Sequence, residues 1–331
     1  MPFRISFLLW LGACSLLAQD TTLLYEVNAS KNLIGTVVDV KVFAGDIQKA
    51  KKTLYLAFRE IERIDSLLAW QIPASEISKI NEAAGKAPAK ISFETFSILK
   101  RSAQYSELSS GIFDVTIGPL TQLWGFNGDD EPSDVPPANK IDSCKQLVNF
   151  RNLSLNEKDT TAFLQFKGMS IDLGGIGKGY AIDRASDILK KYGFTSFLFN
   201  AGGDILVSGM KNENQKWVIG IKHPRDEGKL IGSVELADLA IATSGDYERY
   251  FEKNGVRYHH IIDPRTGYPA TGSTSVSVVA ESSEKSDALA TILFITQGDT
   301  SSSAPDYLII DSNLVRHFSP KFKSKYSFVQ N

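Results

Sequence analysis

Hydrophobic positions change their period several times along the chain, and each change predicts an element. Leu33 to Phe43, LIGTVVDVKVF, alternates and is β-branched, which predicts a strand. From Asp46 to Leu68 the apolar residues Ile47, Ala50, Leu54, Ala57, Phe58, Ile61, Ile64 and Leu68 recur at three-and-four spacing, which predicts a long amphipathic helix with Asp46 as its N-cap. Shorter helices are expected at Ser75 to Ala83, Ser92 to Leu108 and Ile141 to Asn149, with a Gly-, Asp- and Pro-rich loop at Gly125 to Asn139 and a hairpin across Leu153 to Phe166. A helix over Tyr180 to Tyr192 stops at Gly193. Strand patterns follow at Phe197 to Asn200, Ile205 to Met210, Trp217 to Lys222, Ile231 to Leu236, Leu239 to Thr243 and Ser275 to Glu281. A helix over Ser283 to Thr296 and a buried strand over Tyr307 to Asp311 complete the pattern. The class is α+β, with mixed or antiparallel sheets flanked by helices.

Composition narrows this. The 331 residues are 43% hydrophobic, enough for a sizeable core, and the formal net charge of −2 excludes the basic excess of a nucleic-acid binder. The first residues, MPFR and then ISFLLWLGA, are basic and then apolar, too short to span a bilayer, and read as an export signal within residues 1–18. Leu11-Gly12-Ala13-Cys14 resembles the bacterial lipobox, which would make Cys14 the lipidated first residue; cleavage near Ala18 is the alternative. Either leaves Cys144 as the one thiol, so no internal disulfide is expected. Residues 19–32 read as a linker and 33–328 as a single domain, with or without two subdomains.

Four stretches could carry chemistry. SIDLGGIGKGYA, Ser170 to Ala181, places four glycines within six positions ahead of a helix. It matches neither the P-loop, because Gly179 follows Lys178, nor the dinucleotide fingerprint, because Tyr180 stands at the third glycine. It is either an anion cradle of main-chain N–H groups or a tight turn. YHHIIDPRTGYPAT, Tyr258 to Thr271, holds adjacent histidines that point to opposite faces of a strand, so at most one faces a site as a base; a surface or core histidine is the alternative. In KSDALATILF, Asp287 and Thr291 are four apart and share a helix face. They offer hard oxygens to Mg²⁺, or are a helix-start acid and a buried threonine. Trp70 and Trp124-Gly125-Phe126 could stack a planar ring or fill the core.

Six segments in this order resemble the ApbE family of flavin transferases: GIFDVTIGPLTQLWGF from Gly111, IDLGGIGKGYAID from Ile171, NAGGDI from Asn200, IATSGDYERYF from Ile241, HHIIDPRTGYP from His259 and SDALATILF from Ser286. The resemblance implies a T-fold-like architecture and Mg²⁺-dependent transfer of the FMN half of FAD to a Thr or Ser hydroxyl of an acceptor protein, with release of AMP. It implies acceptors that are subunits of membrane redox complexes with an Asp-x-x-Ser/Thr-Gly-Ala-Ser/Thr-like motif. It also implies an exported, lipid-anchored enzyme on the outer face of the cytoplasmic membrane. By the same resemblance Ile34, Trp70, Ile112, Phe113, Asp114, Asp172, Lys178 and Ile262 contact the flavin nucleotide. Gly175 (through its carbonyl), Asp287 and Thr291 hold the metal, and His260 is the base, with Asp263 second. Ala290 stands where some members have a second acid, so weak Mg²⁺ binding without FAD is expected. Two other readings share these residues: an FAD pyrophosphatase releasing FMN and AMP, and a non-catalytic FAD-binding lipoprotein. Self-modification is disfavoured, because Tyr268 occupies the Asp position before Thr271-Gly272-Ser273-Thr274.

Overall fold

The computed structural model describes residues 24–126, 132, 134–212, 214–298 and 305–331. The expected export signal, with Cys14 and Ala18, lies outside them. An eight-stranded sheet forms the centre, and its strands lie side by side in chain order, each antiparallel to the next. They are β1 (Tyr25–Leu33), β2 (Thr36–Ala44), β3 (Phe197–Ala201), β4 (Asp204–Ser208), β5 (Leu239–Gly245), β6 (Ser273–Ala280), β7 (Asp306–Asp311) and β8 (Arg316–Phe318). Hairpins join β1 to β2 and β3 to β4. A short turn likewise joins β7 to β8; the other elements are inserted between strands or, for residues 319–331, follow β8.

The expected linker therefore contains β1. Its sequence, YEVNASKNL, hides the alternation because it is an edge strand: Val27 and Ala29 face the core while Asn28, Ser30 and Lys31 do not. The turn to β2 falls at Ile34-Gly35, both with positive φ (47° and 72°), as two-residue hairpin loops require.

One face of the sheet carries the large core. On it lie α1 (Ile47–Leu68), α6 (Gly177–Lys191) and α7 (Ser283–Thr296). The other α-helices among the described residues are α2 (Glu76–Glu82), α3 (Phe93–Leu108), α4 (Gly118–Trp124), α5 (Ala138–Lys145) and the short α8 (Phe322–Lys325). The buried face of α1 is the predicted stripe, and Asp46 accepts from Lys49 N–H at 2.9 Å as its N-cap. The capped starts of α2 and α3, at Ser75 and Ser92, were equally legible. The short α4 was not expected, and α5 begins before Ile141. A hairpin of Leu153–Asn156 and Thr161–Leu164 forms as expected, with Ala89–Lys90 as an added edge.

The opposite face is covered over β4 to β7 by a smaller sheet of Trp217–Lys222, Leu230–Leu236 and Val329–Gln330, whose apolar residues form a second core with Phe322 and Tyr326. Strand β6 is thus buried on both sides: Val276 and Val278 meet the helices, and Val279 meets the smaller sheet. Among the described residues no helix is long and apolar enough to cross a membrane.

The α6–α7 crossing fixes the site. Gly179 lies so close to α7 that a Cβ there would fall 2.3 Å from Ser283 O and 2.7 Å from Glu284 N, both backbone atoms that cannot rotate away. Gly179→Ala should therefore destabilise the fold by about 1–3 kcal/mol or more, as over-packing does, read as a lower urea midpoint. Asp183 of α6 caps its neighbour, accepting from Ser283 N–H at 2.8 Å and Glu284 N–H at 2.9 Å. Burial raises its carboxyl to about 6. Arg101 of α3 grips Glu284 with two bonds of 2.7 and 2.8 Å. Two elements thus hold the first turn of α7, and with it Asp287 and Thr291.

Candidate active site

The glycine stretch is a turn followed by a helix start. Helix α6 begins at Gly177, three positions earlier than the sequence pattern indicates, so Lys178 and Gly179 belong to its first turn. Asp172 organises the turn: one carboxylate oxygen accepts from Gly174 N–H at 2.7 Å and the other from the Thr121 hydroxyl at 2.7 Å. It thereby ties α4 to the loop.

Lys178 reaches two buried carboxylates. Its Nζ lies 2.6 Å from Asp204 Oδ2 and 3.6 Å from Asp287 Oδ1. Asp287 Oδ2 also accepts from Gly179 N–H at 3.1 Å. Burial opposes the lysine's charge, but the two carboxylates outweigh it and hold the ammonium above its usual range. Burial raises the Asp287 carboxyl to about 7 against the pull of Lys178, and the nearby Asp204 charge adds to the rise. One helical turn beyond Asp287, Thr291 meets the glycine turn: a Cβ on Gly175 would lie 3.2 Å from Thr291 Oγ1 and 3.1 Å from the Phe113 ring. Gly175, Phe113, Asp287, Thr291 and Lys178 are thus assembled at one place, as the sequence suggested.

The adjacent histidines face opposite ways. His259 is buried: its Nε2 bonds Ala270 O at 2.9 Å, its Nδ1 accepts from Ile261 N–H at 3.2 Å, and its ring stands edge-on to Phe294. His260 has its backbone N–H on Arg249 O at 3.1 Å, and its buried Nδ1 has no hydrogen-bond partner among the described residues. Burial, then repulsion from His259, Arg249 and Lys178, lowers its imidazolium to about 3. The ring is therefore neutral near pH 7 and carries a free acceptor or donor nitrogen.

The second-choice base, Asp263, is paired with an arginine. Both oxygens of Asp263 are occupied by Arg265, whose backbone N–H, Nε and Nη2 lie at 2.9, 2.9 and 2.7 Å. Its main chain closes the DPRTG turn through Gly267 N–H to Asp263 O at 2.8 Å. Asp263 shapes the loop after His260.

The remaining candidates form the surroundings. Asp114 accepts from Thr116 N–H and Oγ1 at 2.8 and 2.7 Å and from Phe150 N–H at 2.8 Å, and burial raises its carboxyl. Ile112 is buried beside Phe113 in the main core. Ile262 belongs to a satellite core with Leu120, Trp124, Phe126 and Ile141. Trp124, with its indole N–H on Gly267 O at 2.9 Å, is therefore core rather than a stacking platform. Ile34 at the hairpin tip and Trp70 are half-buried at the edge of the main core, and the Trp70 indole N–H has no partner among the described residues.

Two residues were given no role from sequence although their motifs were recognised. Asp204 ends the NAGGDI turn, in which Gly202 and Gly203 both have positive φ and Asn200 Oδ1 accepts from Gly203 N–H at 3.0 Å. Arg249, from SGDYERYF, donates to Gly35 O at 3.3 Å and so joins the β1–β2 hairpin tip to the His260 segment. All six segments thus meet.

The donors suit a small hard cation. Among the described residues no three His, Cys, Asp or Glu side chains could hold a metal together. A site here would instead combine one carboxylate, one hydroxyl and one main-chain carbonyl, oxygen donors of the kind Mg²⁺ takes while keeping water and phosphate ligands. The buried Asp287 carboxylate has room for added positive charge, and the bare Cα of Gly175 leaves Thr291 Oγ1 unobstructed.

Known proteins resemble the chain in sequence and fold. A FAD:protein FMN transferase of Klebsiella pneumoniae is 36% identical over 266 residues, spanning 79% of this chain and 80% of its own. The ApbE protein of Thermotoga maritima matches the fold with a TM-score of 0.84 at 34% identity, over 91% of this chain and 99% of that one. The flavin transferase ApbE of Vibrio cholerae matches with 0.80 at 27% identity, over 91% and 99%. The sequence model of the ApbE family covers residues 34–304, and the chain belongs to that family.

Proposed function

We propose that the chain is an FAD:protein FMN transferase that moves the FMN half of FAD onto a serine or threonine hydroxyl of an acceptor protein and releases AMP. One observation carries the reading: Lys178 with its buried partners Asp204 and Asp287, Thr291, the glycine turn and the neutral His260 imidazole come together from four distant segments. The names of the relatives support the same activity.

Chemistry follows from what each group can do. Lys178 presents its positive charge to the diphosphate of FAD. Asp287, Thr291 Oγ1 and the Gly175 carbonyl would hold Mg²⁺, which when bound neutralises the diphosphate and the charge that develops on the leaving phosphate. A ring nitrogen of His260 takes the proton of the acceptor hydroxyl as its oxygen attacks the FMN-side phosphorus. The bond to the bridging oxygen breaks, and AMP departs with that oxygen. An imidazolium near 3 makes a weak base, but the anionic diphosphate counters Arg249 and Lys178 and raises it. The His260 ring signals in NMR should therefore not titrate above pH about 3 in the free protein, and should titrate at higher pH with FAD and EDTA present. The sign extends to stability. The unfolded chain takes up a proton on this histidine below about 6.5 and the folded chain does not, so stability is lost as pH falls from about 6.5 towards about 3.

Water could replace the acceptor hydroxyl at the same phosphorus. Incubation with FAD and Mg²⁺ but no acceptor separates the two: slow AMP release supports the transferase, and rapid release a pyrophosphatase. FAD that stays intact even with an acceptor present marks a binding protein. Lipidation at Cys14 would place the enzyme on the outer face of the cytoplasmic membrane, beside redox-complex acceptors with the Asp-x-x-Ser/Thr-Gly-Ala-Ser/Thr-like motif. Palmitate labelling lost in Cys14→Ser tests this.

Gly175→Val probes the metal wall. The branched side chain would press on the Phe113 ring and Thr291 Oγ1, which lie 3.1 and 3.2 Å from its Cβ position. Mg²⁺-dependent transfer should disappear while circular dichroism stays native.

A further inference from the structure

Asp204 lies outside the set of residues that would touch metal or flavin, yet it is 3% exposed and its carboxylate makes the closest contact of the Lys178 ammonium. The ammonium stands between two buried acids, 2.6 Å from Asp204 and 3.6 Å from Asp287. Without Asp204, Asp287 would be the remaining acid of this pair. A lysine side chain is flexible and carries a compact charge, so it would close on that carboxylate. The ammonium and a divalent cation would then compete for the same oxygens.

We infer that Asp204 is a positioning residue, which draws the Lys178 ammonium aside and so keeps the Asp287 carboxylate open to the metal. The inference rests on the proposed Mg²⁺ site. It also gives NAGGDI a physical reason. The paired glycines make the tight β3–β4 turn, and β4 then starts with its first side chain against α6. Asp204 itself stays paired with lysine and takes no direct part in ligation.

A double-mutant cycle tests this on the FAD-free protein, with Mn²⁺ as the probe for a hard-oxygen site and the electron paramagnetic resonance signal of free Mn²⁺ as the readout. Asp204→Asn should weaken Mn²⁺ binding by about tenfold or more, a loss of roughly 1.4 kcal/mol or more. In a Lys178→Met background the same Asp204→Asn change should alter it by less than about threefold, because the competing ammonium is gone. An equal loss in both backgrounds would overturn the inference and show that Asp204 acts on the metal through its own charge. Should Asp204→Asn alone not fold, comparing Lys178→Met with the double variant decides the matter, since a tenfold drop there contradicts positioning. Wild-type protein that neither binds Mn²⁺ nor transfers FMN would refute the parent reading instead.

Discussion

His260→Ala should bind FAD with unchanged affinity and transfer FMN about a hundredfold to ten-thousandfold more slowly, the range expected for loss of a positioned general base. The expectation rests on the unpartnered, buried Nδ1 and on the neutrality that burial and the neighbouring cations impose. Binding should survive because Lys178 and the glycine turn, which face the diphosphate, are untouched. Flavin fluorescence quenching measures the first quantity, and acceptor labelling in a single turnover the second. His259→Ala should behave differently. His259 packs on Phe294 and bonds Ala270 O, so its loss should lower the melting temperature before it affects chemistry. Normal transfer by His260→Ala would end its assignment as the base.

Asp287→Asn should cost about a hundredfold to a thousandfold in transfer, corresponding to the several kcal/mol of charge stabilisation that a bound metal supplies. Saturating Mg²⁺ should not restore it, because the amide cannot replace the anionic ligand. Folding should be spared. The amide oxygen can still accept from Gly179 N–H, now at 3.1 Å, and Lys178 keeps Asp204 at 2.6 Å. Thr291→Val should give a smaller loss of the same kind, partly recovered by high Mg²⁺. A variant with wild-type rate and wild-type Mg²⁺ dependence would remove Asp287 from the site.

Much of this was legible in the sequence where the signal is local. The limits of α7, Ser283–Thr296, are those the sequence pattern predicts, and the buried stripe of α1 follows from its spacing. Asp287 and Thr291 share a face simply by being four apart. What was not legible depends on distant partners. Gly179 reads as part of a turn or anion cradle until α7 is seen to require its missing side chain. Asp263 reads as a free acid until Arg265 covers it. Asp204 has no meaning without Lys178, which is distant in the chain. β1 was read as linker because a polar edge strand lacks an apolar period.

The central claim is transfer of FMN to protein. An acceptor domain carrying the Asp-x-x-Ser/Thr-Gly-Ala-Ser/Thr sequence, incubated with this chain, FAD and Mg²⁺, can be weighed by mass spectrometry while AMP is counted. The account predicts that the acceptor gains the mass of one FMN less one water, with one AMP released per acceptor modified. An unmodified acceptor with free FMN and AMP in solution would contradict it.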